Sequence, residues 1–199
     1  MGERLSRQQL VIVEGRDEVH MVEAFLQAAG RADIEVRSFD GVDNLRGYLK
    51  ALTQVAGFEG LVSLGIMRDA EDDATGALAS IQGALGAAEL GVPGANLTPA
   101  GVGPRVVVLI NPIESMTGSL EDVFLAAAAG DPALECADEY VGCLNRRGAP
   151  PVRPSKSRVH ALIAAKDRPE SSLGVAAKRG YFPLDHVAFD PIRRLLALL

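Results

Sequence analysis

Apolar runs of strand length alternate along this chain with longer segments whose apolar residues recur at helical spacing. Leu10-Val11-Ile12-Val13 is too uniformly apolar to lie half exposed, so residues 9–14 read as a buried strand, and Gly15 permits a tight turn after it. Asp17 is the expected cap of a helix whose Val22, Phe25, Leu26 and Ala29 share one face, and Gly30 stops it. Glu35 to Phe39 alternates like an edge strand, and Asp43 is the expected cap of a second helix carrying Leu45, Tyr48, Leu49 and Leu52. Residues 61–68 read as a third strand and 105–110 as a fourth, with a helix between them striped by Leu78, Ile81 and Leu85. Ser119 can cap a helix running through Val123 and Phe124 to Ala129. Strands alternating with helices imply βαβ units, hence an α/β fold with a mostly parallel sheet of about four strands flanked by helices. Right-handed crossovers put every strand-to-helix turn at the carboxyl edge of such a sheet. Open α/β sheets bind their ligands at that edge.

The remainder of the chain reads differently. Gly91 to Pro104 is rich in Gly and Pro and reads as a connector, and residues 145–154, with three prolines, read as a non-helical linker. Beyond it, Ser155 starts a helix with Val159, Leu162 and Ile163, and Asp190-Pro191 starts a last one with Ile192, Leu195 and Leu196. The expected division is an α/β domain over residues 1–145 and a helical extension over 146–199 packed on it. Charge divides at the same place. Residues 1–145 carry 9 Lys/Arg against 22 Asp/Glu, whereas residues 146–179 carry 9 against 2. The basic segment can track a nucleic-acid backbone, or it can pair with the acidic surface of its own protein.

Three acidic groups stand where apolar runs end. Glu14-Gly15 follows the first strand, Asp69-Ala70-Glu71-Asp72-Asp73 the third, and Ser119-Leu120-Glu121-Asp122 the loop after the fourth. If the strands are parallel neighbours, all three groups share the ligand-binding edge. Carboxylates so close cannot all stay ionised without a cation. Oxygen-only donors suit Mg²⁺ or Mn²⁺, so the candidate metal ligands are Glu14, Asp69, Glu71, Asp73, Glu121 and Asp122. Each has a plainer role available. Glu14 can complement a helix dipole, Asp72 and Asp73 can cap a helix, and Ser119 with Asp122 has the spacing of a capping box.

Other chemistries find little support. No stretch approaches the roughly 20 apolar residues of a membrane helix, and Met1-Gly2-Glu3-Arg4 has no apolar leader core behind it, so a cytoplasmic protein with no membrane partner is expected. Cys136 and Cys143, with no second pair, make neither a disulfide framework nor a zinc site. His20, His160 and His186 match no metal spacing, although His160 lies one turn from Lys156. No Gly-Lys-Ser/Thr phosphate loop, no Gly-x-Gly-x-x-Gly turn and no nucleophile elbow is present.

The order of a strand ending in Glu-Gly and a later strand ending in Asp-x-Asp resembles the Toprim domain of topoisomerases, bacterial primases, small nucleases and recombination proteins. The details are most similar to the Toprim-like nucleases of the overcoming-lysogenization-defect (OLD) family, in which a Leu-Glu-Asp motif follows the fourth strand. Here the motifs are Val13-Glu14-Gly15-Arg16-Asp17, Leu64 to Asp73, and Gly118-Ser119-Leu120-Glu121-Asp122, and the likeness covers about residues 9–125. The resemblance implies Mg²⁺-dependent phosphodiester chemistry on nucleic acid, with Glu14, Asp69, Glu71 and Glu121 at the metal. It implies a basic residue assisting catalysis, for which Lys156 is the positional match. Larger OLD proteins carry a fused ATPase, so a separate ATPase or other protein partner is compatible with it, and the oligomeric state is open.

Two departures matter. Glu71 stands where the family has Asp, which lengthens the ligand by one methylene. Arg68, just before Asp69, can pair with the carboxylates in place of a cation. The alternative function is therefore a catalytically degenerate Toprim-fold interaction module. A receiver-like phosphoacceptor is disfavoured, because its acidic pair after the first strand is replaced by Glu14-Gly15.

Overall fold

A computed structural model describes residues 4–113, 115–170 and 172–199, so Met1 to Glu3, part of the start read above as lacking a leader, lie outside the described residues. Four strands form one all-parallel sheet in the order β2-β1-β3-β4, with β1 at Gln9–Val13, β2 at Ile34–Ser38, β3 at Ser63–Asp69 and β4 at Arg105–Asn111. Ile12 pairs with Arg37 on one side and Ile66 on the other, and Ile66 pairs with Val108. Among the described residues eight α-helices flank this sheet, a Rossmann-like α/β arrangement.

The pleat sorts the apolar strands to two faces. Leu10, Ile12, Leu64, Ile66, Val106 and Val108 form one core with α2 (Leu45–Leu52) and α3 (Ala74–Ala87). Val11, Val13, Met67, Val107 and Leu109 face the other way. They pack with α1 (Arg16–Ala28), α4 (Leu120–Ala127), α6 (Pro154–Ala164), α7 (Leu173–Lys178) and α8 (Asp190–Ala197). Three edge-to-face aromatic contacts link Phe25, Phe124, Phe182 and Phe189 within that second core. Residues 146–199 thus supply much of one covering layer. The apolar tail docks on its own core, with Leu195 fully buried and the Leu199 carbonyl accepting from Gln9 Nε2 at 2.6 Å and Ser63 Oγ at 2.9 Å.

Several expected boundaries differ. A 15-residue helix, α5 (Pro132–Arg146), fills a stretch that carried no clear expectation, and α7 was likewise unread. The span 145–154 is helical at both ends, because α5 runs through Arg146 and Pro154 occupies the first turn of α6, where proline's missing N–H costs nothing. Asp43 lies in a 3-10 turn, and α2 starts after Asn44 without a side-chain cap. Gly15, not Asp17, is the residue before α1, and its backbone is extended. Asp17 instead reaches α7, accepting from Ser172 Oγ, from the Leu173 N–H at 3.1 Å and from the Gly174 N–H at 2.6 Å.

Strand order also fixes where a ligand can enter. The chain steps from β1 outward to β2, then returns across β1 to β3 and β4. Helix α1 covers one face, and α2 and α3 cover the other. The crossovers diverge between β1 and β3, which opens a crevice at their carboxyl ends. Glu14 follows β1 and Asp69 ends β3 at that crevice.

Candidate metal centre at the carboxyl edge

Each acidic side chain is held by a specific local device. The Glu14 carbonyl accepts from the Gly41 N–H and from Ser38 Oγ, both at 3.0 Å, which ties the end of β1 to the turn after β2. Three residues after Gly15, Glu18 lies in the first turn of α1, and its carboxylate covers that glycine. A Cβ at Gly15 would meet Glu18 Oε2 at 2.9 Å. The chain leaves the sheet after Asp69, where the Ala70 N–H donates to the Asn111 carbonyl at 2.7 Å. Glu71 then takes a left-handed backbone (φ +50°) and bridges Gly118, the Glu71 N–H donating at 2.8 Å and the Gly118 N–H returning at 2.7 Å. This bridge draws the Asp-rich loop against the start of α4.

Glu14, Glu18, Asp69, Glu71, Glu121 and Asp122 line one cleft of about 350 Å³, and Arg153 and Lys156 line it too. Asp69 and Glu71 share it although extended backbone does not persist between them. The turn through Glu71, rather than strand alternation, turns both toward the cleft.

Burial raises three of these carboxyls. Protein packed around Asp69 pushes it well above the usual carboxylate range. The Leu120 backbone N–H opposes this, and Glu121, Glu18 and Glu71 add to it. Asp69 keeps some exposure to solvent. Burial also raises Glu14, against Arg68 and Arg153 and with Glu71. It raises Glu18 too, where hydrogen bonding to backbone N–H groups works against it and the charges of Asp17 and Glu14 work with it. Among the described residues none of the six forms an ion pair. Arg68 does not take a cation's place by contact. Among the described residues its Nε and Nη1 are buried without a hydrogen-bond partner, and it lowers Glu14 through space.

The donor chemistry fits a hard divalent cation: carboxylate oxygens, no sulfur or imidazole, and a local excess of negative charge. Placement is open rather than closed. Among the described residues no three His, Cys, Asp or Glu side chains are gathered tightly enough to hold an ion as they stand. Glu14, Glu18, Glu71 and Glu121 have the side-chain length to close in by rotamer changes.

Two expected ligands are engaged elsewhere. Asp73 does not line the cleft. It caps α3, accepting from the Gly76 N–H at 2.9 Å, the plainer role open to it. Asp122 lines the cleft but forms the capping box with Ser119, accepting from the Ser119 N–H at 2.8 Å and from Ser155 Oγ at 2.5 Å. It therefore fastens α6 to α4, which holds Lys156 at the cleft. Sequence reasoning missed Glu18, whose signal was its place in the first turn of the helix that follows Glu14-Gly15. It also missed Arg153 at the cleft wall, because the linker reading gave that residue no position.

The described residues contain no helix long and apolar enough to cross a membrane. No curated protein and no solved structure matches the chain. A family match covers residues 8–199, which takes in the whole sheet, the acidic cleft and the helices that wall it. The chain therefore belongs to the family described as "Protein of unknown function (DUF3226)".

Proposed function

We propose that this chain carries out Mg²⁺- or Mn²⁺-dependent phosphodiester chemistry on nucleic acid, as a nuclease-like domain of Toprim type. The observation that carries the reading is the placement of Glu14 and Asp69 on either side of the sheet's crevice, both raised by burial and neither ion-paired among the described residues, in a cleft with Arg153 and Lys156. Asp69, Glu14, Glu71 and Glu121 would hold the cation, and Asp122 would support it from its capping role. A bound cation supplies charge neutralisation at the phosphate and a more acidic water. Burial raises the Glu14 carboxyl from its ordinary value, which makes its carboxylate a better proton acceptor. The Lys156 ammonium and Arg153 guanidinium offer donors to non-bridging phosphate oxygens. Free thiols at Cys136 and Cys143 agree with the cytoplasmic location that the reading carries with it.

Titration of Mg²⁺ and Mn²⁺ into wild type and Glu14→Ala by calorimetry tests the site, and cleavage of labelled oligonucleotides tests the activity. Saturable binding lost in Glu14→Ala, and cleavage lost in both Glu14→Ala and Asp69→Ala, are the expected results. Cleavage that survives both substitutions would remove this assignment. The second reading, a noncatalytic interaction module, draws on Glu71, where Asp is expected, and on carboxylates that are not drawn together. A wild type that binds neither ion, with and without oligonucleotide present, would favour it.

A further inference from the structure

Beside the acidic cleft runs a second concavity, a groove of about 710 Å³ between α5 and α6. Tyr140 on α5 and His160 on α6 line it with rings, Ala161 and Val152 give it apolar surface, and Arg153 and Lys156 belong to both groove and cleft. The fold does not need this apolar surface, since Tyr140 is 52% exposed and Val152 is 97% exposed, while α5 packs inward through Leu134, Ala137 and Val141. Of the nine cations in the basic segment, four are ion-paired; among the described residues Arg146, Arg147, Arg153, Lys156 and Arg168 are not, and of these Arg153 and Lys156 line both the groove and the cleft. Arg158, Lys166, Lys178 and Arg179 pair with Asp138, Asp131, Glu23 and Glu170. Arg153 and Lys156 are exposed, and among the described residues their side chains form no ion pair or hydrogen bond.

We infer that this groove binds one unpaired nucleotide strand, with a base stacked on Tyr140 and the adjoining phosphates on Arg153 and Lys156 as the strand passes into the acidic cleft. The inference deepens the nucleic-acid reading above and rests on it for the direction of the strand. An aromatic face serves any base that is not already stacked in a duplex, which selects single strands without selecting sequence. Cations at the junction neutralise the backbone where it meets the carboxylates.

Fluorescence anisotropy in EDTA, with a labelled ten-residue oligothymidylate and a duplex of equal length, tests the groove without any metal chemistry. Tyr140→Ala should weaken single-strand binding by about 5- to 150-fold, as loss of one base stack does, and Tyr140→Phe should restore it. Lys156→Ala should lower the salt slope of single-strand binding by about 0.7. No strand binding, or a Tyr140→Ala affinity within twofold of wild type, would overturn the inference. So would a concentration-dependent dimer abolished by Tyr140→Ala, since the groove would then be a self-interface. The metal titration separates the two readings. Tyr140-dependent strand binding without metal binding keeps the groove and removes the catalysis, whereas metal binding without a Tyr140 effect removes the groove alone.

Discussion

Asp69 is a carboxylate that the fold would be better off without, and Asp69→Asn should make the metal-free protein more stable. Its carboxyl is raised by the protein packed around it and by Glu121, Glu18 and Glu71, and it has no ion-pair partner among the described residues. Full burial of a carboxylate costs several kcal/mol, but Asp69 retains some water and the Leu120 N–H, so the expected relief is about 1–2 kcal/mol at pH 8. Asparagine keeps an acceptor for Leu120 and nearly the same volume. In a chain of this size the gain appears as a rise of about 2–8 °C in Tm. The pH dependence follows from the raised value. Below the ordinary aspartate value of 3.8 both folded and unfolded chains hold the proton, and the two proteins should be equally stable. As pH rises the unfolded chain ionises first, so wild type loses stability relative to the variant until the folded carboxyl ionises too. The assay is thermal unfolding in EDTA from pH 3.5 to 8.5, repeated with Mg²⁺. At a hundredfold excess over its dissociation constant the ion should return about 2.7 kcal/mol to wild type and nothing to the variant, reversing their order. A variant less stable than wild type at pH 8 in EDTA would refute the reasoning, because Asp69 would then be a structural partner rather than an uncompensated charge.

Two further outcomes follow from contacts away from the cleft. Gly174→Ala should destabilise by about 3 kcal/mol in urea unfolding, since a Cβ there would overlap the Asp17 carbonyl and stand 2.8 Å from His20 Cβ, with backbone that cannot yield. Deleting Leu199 should cost about 2–4 kcal/mol, because it empties a buried site against Gly65 and strips the fully buried Ser63 hydroxyl of its acceptor.

What the sequence made legible was whatever a local period controls. The runs at Leu10, Leu64 and Val106 have no polar alternative, so their strands and the shared edge could be read from composition and order alone. Helix α5 was not legible, because only Leu134, Ala137 and Val141 of its 15 residues are buried, and Asp131 and Pro132 look like loop residues until their capping geometry is seen. Asp17 and Asp73 show the limit for polar residues. Both sit in or beside a first helical turn, yet one caps its own helix and the other caps a helix 155 residues away, a choice made by tertiary packing. For the site, the carboxylates that end strands were foreseeable. Glu18, Arg153 and the second duty of Asp122 depend on which helices meet, which periodicity does not encode.

Glu71 adds a second cost at the same edge. A non-glycine residue at φ +50° gives up about 1 kcal/mol, and nothing in the apolar core asks for a glutamate there, since Glu71 is exposed. A glycine would meet the backbone requirement of the Gly118 bridge without strain and without adding charge beside Asp69. Strain at Glu71 and uncompensated burial at Asp69 arise from different physics, one from backbone sterics and the other from desolvation. They fall within three residues of each other, at the crevice where the strand order reverses. Elsewhere the chain makes the opposite choice, with Asp73, Asp131 and Asp17 each satisfied by N–H groups at helix starts. Among the described residues the carboxyls raised by burial are Glu14, Glu18 and Asp69, all at the crevice; a ligand supplying positive charge would require such a setting, and that is the reason to look for function at this edge first.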